Sequence, residues 1–370
     1  MENSLADEII ETDIAIIGGG SAGITLASKL SEHSAVVIEP KTPAERDACW
    51  ALWATSDQQA KLQSATKGRW SQWRLVDYEQ EIIHNSHEYN YISLSSADYL
   101  GACEETLSAN VKLVRASAES IKPKGYGGSF SAQGQNYQAN YIYDSRPPKA
   151  DKEGLKQHFF GLEIRTKSPL MAPDIATLMD FRVDQSRGLH FIYALPYSDR
   201  EILIESTMIS KSLEPEGWYR QAIDHWLDQH GIEIETIVRQ ESGIIAMHSS
   251  LPIDSNLARI GAASGAVRQS SGYAFTNIQS QISQLVAGIE KGEFEVPKPL
   301  SSLLNYMDKI FNGVLVAQPH LAVTLMMQTA KSLNSDGFAR FMLGQATLFD
   351  WIRVILAMPK IPFLRQVFKR

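Results

Sequence analysis

The sequence has few cysteines, no long apolar run and no excess of positive charge. Its 370 residues include only two cysteines, Cys49 and Cys103, which argues against a disulfide framework or a cysteine-built metal site and fits a reducing compartment. The chain contains no run of about 18 uncharged apolar residues, so no membrane-spanning helix is predicted. The two histidines of HWLDQHG (225–231) have no evident partner set, so no metal site is predicted. The net charge of −7 gives no electrostatic support for a nucleic-acid partner.

The first residues, MENSLADEIIETD, lack the basic and apolar regions of a secretory signal. We therefore expect a cytoplasmic protein that is either soluble or attached to a membrane surface. A chain of this length is too long for one small core and predicts two intertwined domains.

A strand, a glycine-rich turn and a helix are predicted near the start of the chain. The apolar run 13–17 is followed by Gly18, Gly20 and Gly23 in GxGxxG register, and a helix is expected over about 21–31. The second apolar strand, AVVIE, ends in Glu39 at the position where a carboxylate binds a ribose hydroxyl. This order predicts a dinucleotide site on a Rossmann-type α/β domain, and Glu39 argues against a 2′-phosphorylated nucleotide there.

Downstream stretches favour FAD over NAD as the bound dinucleotide. The second strand runs into an irregular aromatic stretch, EPKTPAERDACWALW, rather than another regular βαβ unit. A later apolar strand ends in Asp144-Ser145-Arg146, and the small-residue turn 257–275 carries Gly261, Gly265 and Gly272. Small residues allow the backbone to approach a flavin closely, so we predict an FAD domain assembled from separated segments.

These segments interleave with a β-sheet substrate domain and end in helices. The predicted divisions are 1–45 (first FAD segment), 46–100 (excursion toward the substrate domain), 101–150 (second FAD segment), 151–256 (substrate and catalytic domain), 257–295 (third FAD segment) and 296–370 (C-terminal helical region).

Five stretches in order resemble the lycopene cyclase family of carotenoid ring-forming flavoproteins. They are the Asp144-Ser145-Arg146 strand end, Met179-Asp180, FIYALPYSDREILIEST, GAASGAVRQSSGYAF and FARFMLGQATLFDWIRVIL. The resemblance implies an aromatic-hydroxylase-like flavoprotein fold. It also implies a redox-neutral ring closure of lycopene or a related polyene, giving β-ionone rings, with FAD working in its reduced form and NAD(P)H as a possible electron source. The chain departs from the family pattern at Ala48-Cys49, Gln269, Ser271 and Ser206.

Ring closure needs a strong acid in an apolar, water-excluding tunnel. Glu205, surrounded by isoleucine and leucine in EILIEST, is the candidate proton donor, since burial favours a neutral carboxyl. From the residues alone a solvated or arginine-paired glutamate is the favoured interpretation, and the resemblance reverses this in favour of the acid. Asp180 is expected to orient that acid, to lie near the flavin, or to be an ordinary turn or strand-end aspartate.

Other candidates serve the substrate and the cofactor. Trp50, Tyr193 and Tyr273 are expected to line the tunnel and stabilise cationic centres through their π faces, although core packing explains aromatics equally well. Asp144, Arg146 and the glycines are assigned to the cofactor. Arg268 either contacts the cofactor or forms a structural ion pair.

The segment 338–370 is basic and amphipathic. It carries six basic residues and one acidic residue, a net charge of +5, interleaved with aromatic and aliphatic residues. This composition predicts a peripheral attachment to the inner face of the membrane, where a hydrophobic polyene would be found. The alternative is a helical subdomain that buries one stripe against its own core.

Two other functions fit the scaffold. One is a flavoprotein monooxygenase or reductase acting on a hydrophobic polyene or isoprenoid, although its usual D-G and G-D motifs are replaced by Asp144-Ser145 and Gly261-Ala262. The other is a carotenoid or flavin carrier without catalysis.

Overall fold

The computed structural model describes residues 9–148, 151–248 and 257–368. Within these ranges the strands, in chain order, are β1 (Ile9–Ile17), β2 (Ala35–Ile38), β3 (Cys49–Ala54), β4 (Thr66–Trp70), β5 (Gln72–Val76), β6 (Glu81–Asn85), β7 (Asn90–Ser95), β8 (Val111–Val114), β9 (Glu119–Lys124), β10 (Gly127–Ala132), β11 (Gln135–Asp144), β12 (Lys156–Thr166), β13 (Ile175–Asp180), β14 (Leu189–Pro196), β15 (Glu201–Ser210), β16 (Ile234–Ala246) and β17 (Ala258–Arg259).

The α-helices in the same ranges are α1 (Ser21–Ala27), α2 (Ser56–Lys61), α3 (Ser96–Glu105), α4 (Glu216–Gln229), α5 (Phe275–Ile289), α6 (Ser302–Ala317), α7 (Ala322–Ser332), α8 (Ser335–Leu343), α9 (Leu348–Ala357) and α10 (Lys360–Val367).

The first sheet is assembled from distant parts of the chain. Its order is β8-β2-β1-β11-β10-β9, and β17 also pairs with β11. The pairs β1–β2, β2–β8, β1–β11 and β11–β17 are parallel. Helices α1 and α5 cover one face through an aliphatic core. Parallel strands covered by helices form the dinucleotide-binding architecture.

Two further sheets stand beside the first. The second sheet has the order β16-β12-β15-β14-β13-β5-β6, and the third sheet has the order β3-β7-β4. In the second sheet all neighbours are antiparallel except β13 and β5. Strands β3 to β7 all come from the predicted excursion 46–100.

The second sheet has two differently covered faces. Because side chains alternate across a strand, Ile202 and Ile204 point to one face, where they pack against α4 with Trp226. Leu203 and Phe191 point to the other face, toward the third sheet and the C-terminal helices. Glu205 alternates with Ile204 along β15 and so shares the face of Leu203. The candidate site lies on that face.

Helix α1 is shorter than the predicted 21–31 segment. It ends at Ala27, and the Ser28 side chain donates to the Thr25 carbonyl. The carbonyls of Leu30 and Ser31 accept hydrogen bonds from Ser108 Oγ and Asn110 Nδ2. These bonds from the chain leading into β8 replace the helical bonds that would have continued the turn.

The last two helices present much of their apolar surface to solvent. Helix α9 buries Asp350 and Val354, and no residue of α10 is fully buried. Their exposed apolar residues are Leu348, Phe349, Ile352, Ile355, Leu356, Ile361, Leu364, Val367 and, at the end of α10, Phe368. Lys369 and Arg370 of the predicted basic segment lie outside the described residues.

In the part of the chain that the structure describes, no single helix is both long and apolar enough to cross a membrane. Only a consecutive pair, Ser302–Ala317 with Pro319–Ser332, meets that criterion of length and composition jointly, and it is bent by 109° at its break.

Candidate active site

The three glycines of the turn between β1 and α1 have different surroundings. Gly18 has φ +97°, a conformation that favours glycine. A Cβ atom on Gly23 would lie 2.0 Å from the Gly18 carbonyl oxygen, so helix and strand approach too closely for any side chain. A Cβ atom on Gly20 would meet nothing within 4 Å. The open space at Gly20, at the start of α1, fits a phosphate approaching the backbone.

Glu39, at the end of β2, orders this turn. Its Oε2 accepts from the Gly19 amide at 2.8 Å, and its Oε1 accepts from the Lys41 amide at 3.0 Å. Arg46 donates to the Gly19 carbonyl at 2.8 Å and lies 3.6 Å from Glu39 Oε2. The carboxylate thus lies beside the glycine turn, and its role toward a ribose stays a prediction.

The strand end of β11 meets the same turn. Asp144 holds the Arg146 guanidinium in a two-pronged pair, with Nε–Oδ1 and Nη2–Oδ2 both at 2.8 Å. Ser145 Oγ accepts from the Gly23 amide at 3.1 Å. This pair fixes Arg146, 27% exposed in its side chain, at the edge of the glycine turn. Arg146 is thus an oriented cation beside the turn, and its contact with a cofactor stays a prediction.

The third segment carries glycines with positive φ. Gly261, Gly265 and Gly272 have φ values of +66°, +88° and +75°. A Cβ atom on Gly261 would lie 2.5 Å from Ala22 Cβ, which brings this segment against α1. Gly272 lines the cavity described below. Small residues therefore bring the third segment close to the first.

Arg268 forms a structural ion pair, the second of the two roles expected for it from the sequence. It is buried and lies 3.3 Å from Asp308 Oδ1 on α6, and its guanidinium stacks on the Phe341 ring at 4.9 Å. Ser270 Oγ donates to the same Asp308 oxygen at 2.7 Å. This ion pair joins the third segment to the C-terminal helices and lies away from the glycine turn.

One cavity of about 410 Å³ joins the glycine turn to the second sheet. It reaches from Ser21, at the start of α1, to Glu205 on β15. The predicted aromatics Trp50, Tyr193 and Tyr273 all line it. The other lining residues are mostly apolar and include Ala51, Leu75, Pro147, Pro148, Phe159, Leu178, Phe191, Ala262, Val267 and Phe275. The fold thus brings the candidate donor and all three candidate aromatics to one space beside the dinucleotide turn.

Three tyrosine hydroxyls converge in this cavity. Tyr91 Oη lies 2.9 Å from both Tyr193 Oη and Tyr273 Oη. Burial raises the pKa of each of these tyrosines, so all three stay neutral. Tyr91 was not predicted from the sequence, because its YIS strand carries no motif. Trp50 stacks on Phe275 with ring centroids 5.7 Å apart.

Glu205 faces a second glutamate across the second sheet. On adjacent strands Glu205 pairs with Gly161, and Gly161 pairs with Glu241. Gly161 has no side chain, so both carboxylates lean over it: a Cβ atom there would lie 2.8 Å from Glu205 Cγ and 3.4 Å from Glu241 Cγ. Burial raises the pKa of Glu205 well above its ordinary value, and the charge of Glu241 raises it further. Both effects favour the neutral, proton-donating form of Glu205.

Glu241 is held by a cation and a backbone amide. Its Oε2 accepts from Arg239 Nη1 at 2.8 Å and from the Cys49 amide at 3.0 Å. Its buried Oε1 has no hydrogen-bond partner among the described residues. Sequence reasoning missed Glu241, although the alternation of Arg239 and Glu241 with uncharged residues along β16 placed two charges on one face.

Asp180 does not join the site. Its carboxylate binds Arg182 at 2.9 and 2.7 Å and accepts from Trp226 Nε1 at 3.0 Å. Trp226 is on α4, which covers the opposite face of the second sheet from Glu205. Burial alone would raise the pKa of Asp180, but the hydrogen bonds from Arg182 and Trp226 lower it. The expectation that Asp180 orients the acid is corrected: it is a charged strand-end aspartate that anchors α4.

The family model described as "Lycopene cyclase protein" matches residues 13–367. The chain belongs to the lycopene cyclase family. This membership confirms the resemblance seen in the five sequence stretches. A lycopene beta-cyclase of Pantoea ananas is 24% identical over 384 residues, covering 95% of this chain and 96% of that protein.

Solved structures show the same fold. A geranylgeranyl bacteriochlorophyll reductase-like protein of Thermoplasma acidophilum superimposes with a TM-score of 0.63 at 13% identity, covering 97% of this chain and 99% of that one. A flavoprotein/dehydrogenase of Cytophaga hutchinsonii has a TM-score of 0.59 at 15% identity, covering 90% and 93%. The predicted α/β flavoprotein fold is confirmed for this lycopene cyclase family member.

Proposed function

We propose that this chain is a carotenoid cyclase that closes a ring at the linear end of lycopene or a related polyene, giving β-ionone rings without net redox change. The observation that carries the proposal is the burial of Glu205 beside Glu241, which raises the pKa of Glu205 well above its ordinary value, in a mostly apolar cavity that opens onto the glycine turn. An isolated alkene is a weak base, so its protonation needs a carboxylic acid that is not levelled by water.

Glu205 gives its proton to the terminal alkene and becomes a carboxylate. The resulting tertiary cation is attacked by the next double bond, which forms the ring bond. A proton on the carbon next to the new cationic centre then leaves to the carboxylate. One proton enters and one leaves, so atoms and electrons balance and Glu205 is regenerated.

The tyrosines and Trp50 line the cavity around this cation. Each aromatic face that meets a cation stabilises it by about 0.5–2 kcal/mol. Two hydrogen bonds link the three tyrosine hydroxyls through Tyr91 and use two of their three O–H donors. Excluding water prevents capture of the cation as an alcohol.

FAD fits the turn formed by Gly18, Gly20 and Gly23, with Glu39 at the second strand and Arg146 at the edge. Bound there in its reduced, anionic form, FAD would supply negative charge near the cation or help to relay a proton, and we propose NAD(P)H as its electron source. The chain's own residues provide the acid, the aromatic wall and the dry cavity.

We also propose that the protein attaches to the inner face of the cytoplasmic membrane through α9 and α10. Their exposed apolar residues and the cations Arg353, Lys360 and Arg365 support this. Binding to vesicles of anionic phospholipid, which should weaken with salt and in the triple Arg353→Gln, Lys360→Gln, Arg365→Gln variant, tests it. Equal binding to neutral vesicles would contradict the electrostatic part.

The test of activity is expression in a lycopene-accumulating bacterium, with pigment analysis of the wild type, Glu205→Gln and Glu201→Gln. The Glu201 variant is the matched control, because Glu201 begins the same strand and pairs with Arg165 at the surface. We expect ringed carotenoid from the wild type and the control, and unchanged lycopene with bound flavin from Glu205→Gln.

Two outcomes would contradict the proposal. Ring formation by Glu205→Gln at the wild-type rate would show that Glu205 is not the proton donor. Stoichiometric consumption of NADPH with each product would instead identify a monooxygenase or reductase.

A further inference from the structure

A second cavity of about 350 Å³ lies next to the one that holds Glu205. It is enclosed by α6, α7, α8, α9 and α10 on one side and by the second sheet on the other. Four residues, Gln157, Met179, Ser271 and Met342, line both cavities. Their side chains are therefore the wall between the two spaces.

The chemistry of the second cavity suits a long hydrocarbon. Its lining is dominated by aliphatic, aromatic and thioether side chains, namely Met307, Ile310, Phe311, Met326, Phe341, Trp351, Val354, Met358 and Phe363. Three charged groups lie in its wall: Arg268 and Asp308 are paired with each other, and Lys360 Nζ donates to the carbonyls of Leu356 and Met358. A ligand with many polar groups would find few partners here, whereas a conjugated chain would pack against the aromatic rings.

The outer end of this cavity lies at the apolar surface of the last two helices. Ile355, Leu364 and Val367 line the cavity and are also 47%, 52% and 42% exposed. The same residues belong to the exposed apolar set of α9 and α10. A path of apolar side chains thus leads from that surface, through the second cavity, to the shared wall.

Two methionines stand in the shared wall. Met179 is on β13, next to Asp180, and Met342 is on α8. Methionine side chains have three rotatable bonds and adapt to irregular space at low cost. Their rotation would join the two cavities without moving the backbone.

We propose that the second cavity binds the unreacted length of the polyene and is its path from the membrane surface to Glu205, with Met179 and Met342 as the movable wall. The inference rests on the proposed function. It adds a binding site for the part of the substrate that takes no part in ring closure.

The test narrows this cavity without touching the acid. Leu364→Trp places a bulky side chain at the outer end, and Val354→Phe fills the interior. Leu356→Trp is the matched control, because Leu356 is 71% exposed on α9 and does not line either cavity. Purified proteins with reduced FAD are assayed on lycopene in phospholipid vesicles and on a short acyclic isoprenoid polyene with the same terminal alkene.

We expect Leu364→Trp and Val354→Phe to lose about tenfold or more of the rate on lycopene, and to keep the rate on the short polyene. The control should keep both rates. Because Val354 is buried, retention of the short-polyene rate also shows that this variant folds.

A binding measurement separates access from chemistry. In a Glu205→Gln background lycopene is not consumed, so the amount that co-purifies with the protein reports binding alone. We expect it to fall with Leu364→Trp and not with Leu356→Trp.

Failure of this inference and failure of the proposed function give different results. If the wild type cyclises both substrates and the narrowed variants handle lycopene as well as the control does, the second cavity is not the path and the proposed function stands. If the wild type cyclises neither substrate, the proposed function fails and this inference fails with it.

Discussion

Replacing Glu241 with glutamine should move the pH dependence of cyclisation toward acid. The distances from a Cβ on Gly161, 2.8 Å to Glu205 Cγ and 3.4 Å to Glu241 Cγ, place these two carbons no more than 6.2 Å apart. Two unit negative charges at that separation repel by about 2.7 kcal/mol at an effective dielectric constant of about 20. A separation shorter than 6.2 Å would increase this repulsion, and Arg239, paired with Glu241 at 2.8 Å, reduces it, so about 2.7 kcal/mol sets its order of magnitude.

The direction of the change in the Glu205 pKa depends on which form of Glu205 its neighbour Glu241 disfavours. Glu241 disfavours ionised Glu205 and so raises the Glu205 pKa, in addition to the effect of burial. Glutamine keeps the size and the acceptor for the Cys49 amide but removes the charge, so the Glu205 pKa falls. At low pH Glu205 is protonated in both proteins and the rates agree. On the alkaline side the variant loses its proton first, and we expect a loss of about tenfold, equivalent to about 1.4 kcal/mol.

The assay is the rate of ring formation by purified protein with reduced FAD and lycopene in vesicles, measured from acid to alkaline pH. Glu235→Gln, on an exposed position of the same strand, is the control and should leave the profile unchanged. Equal melting temperatures and flavin spectra would show that the fold is intact. An alkaline limb that stays in place, or moves to higher pH, would refute the role assigned to Glu241.

Three other predictions concern the scaffold. Gly23→Ala should lower the melting temperature, since its Cβ would meet a carbonyl oxygen at 2.0 Å, with an overpacking cost of about 1–3 kcal/mol. Gly20→Ala should keep the melting temperature and should weaken FAD binding, measured by fluorescence titration. Asp180→Asn should be less stable in thermal melts while the folded enzyme keeps its turnover; a lost kcat with unchanged stability would contradict its placement away from the site. Burial lowers the pKa of His190 to about 4, so its contribution to the unfolding free energy should be lost as the pH falls from about 6.5 toward 4, and His190→Gln should flatten that dependence in urea titrations.

The dinucleotide turn was predictable because its requirements are local. Gly18, Gly20 and Gly23 lie within six residues: Gly18 has a positive φ, Gly23 closely approaches the Gly18 carbonyl, and Gly20 leaves open space at the start of α1. Glu205 was predictable for a related reason, since the isoleucines and leucine next to it in β15 indicate a buried strand. Patterns that act over one turn or one strand are visible in the sequence.

The partner of Glu205 and the location of Asp180 depend on how distant strands pair. Glu241 lies 36 positions away in sequence and reaches Glu205 only because β12 lies between β15 and β16. Asp180 follows Met179, which lines the cavity, so strand alternation turns Asp180 to the other face, where Trp226 binds it. The sequence shows neither the strand order nor which face of β13 lines the cavity, because both are set by packing among segments that are far apart.

The missing side chain at Gly161 allows Glu205 and Glu241 to approach each other across the sheet. The backbones of β15 and β16 are separated by one strand, so they lie about 9.6 Å apart, too far for most side-chain pairs to meet across an occupied position. With no side chain at 161, the two glutamates extend toward each other over the gap. Two carboxylates in one buried space cannot both ionise at low cost, so the pair holds one proton. In the proposed reaction one proton is used and one returned, and a pair that holds a single proton can therefore complete the cycle without exchanging protons with bulk water.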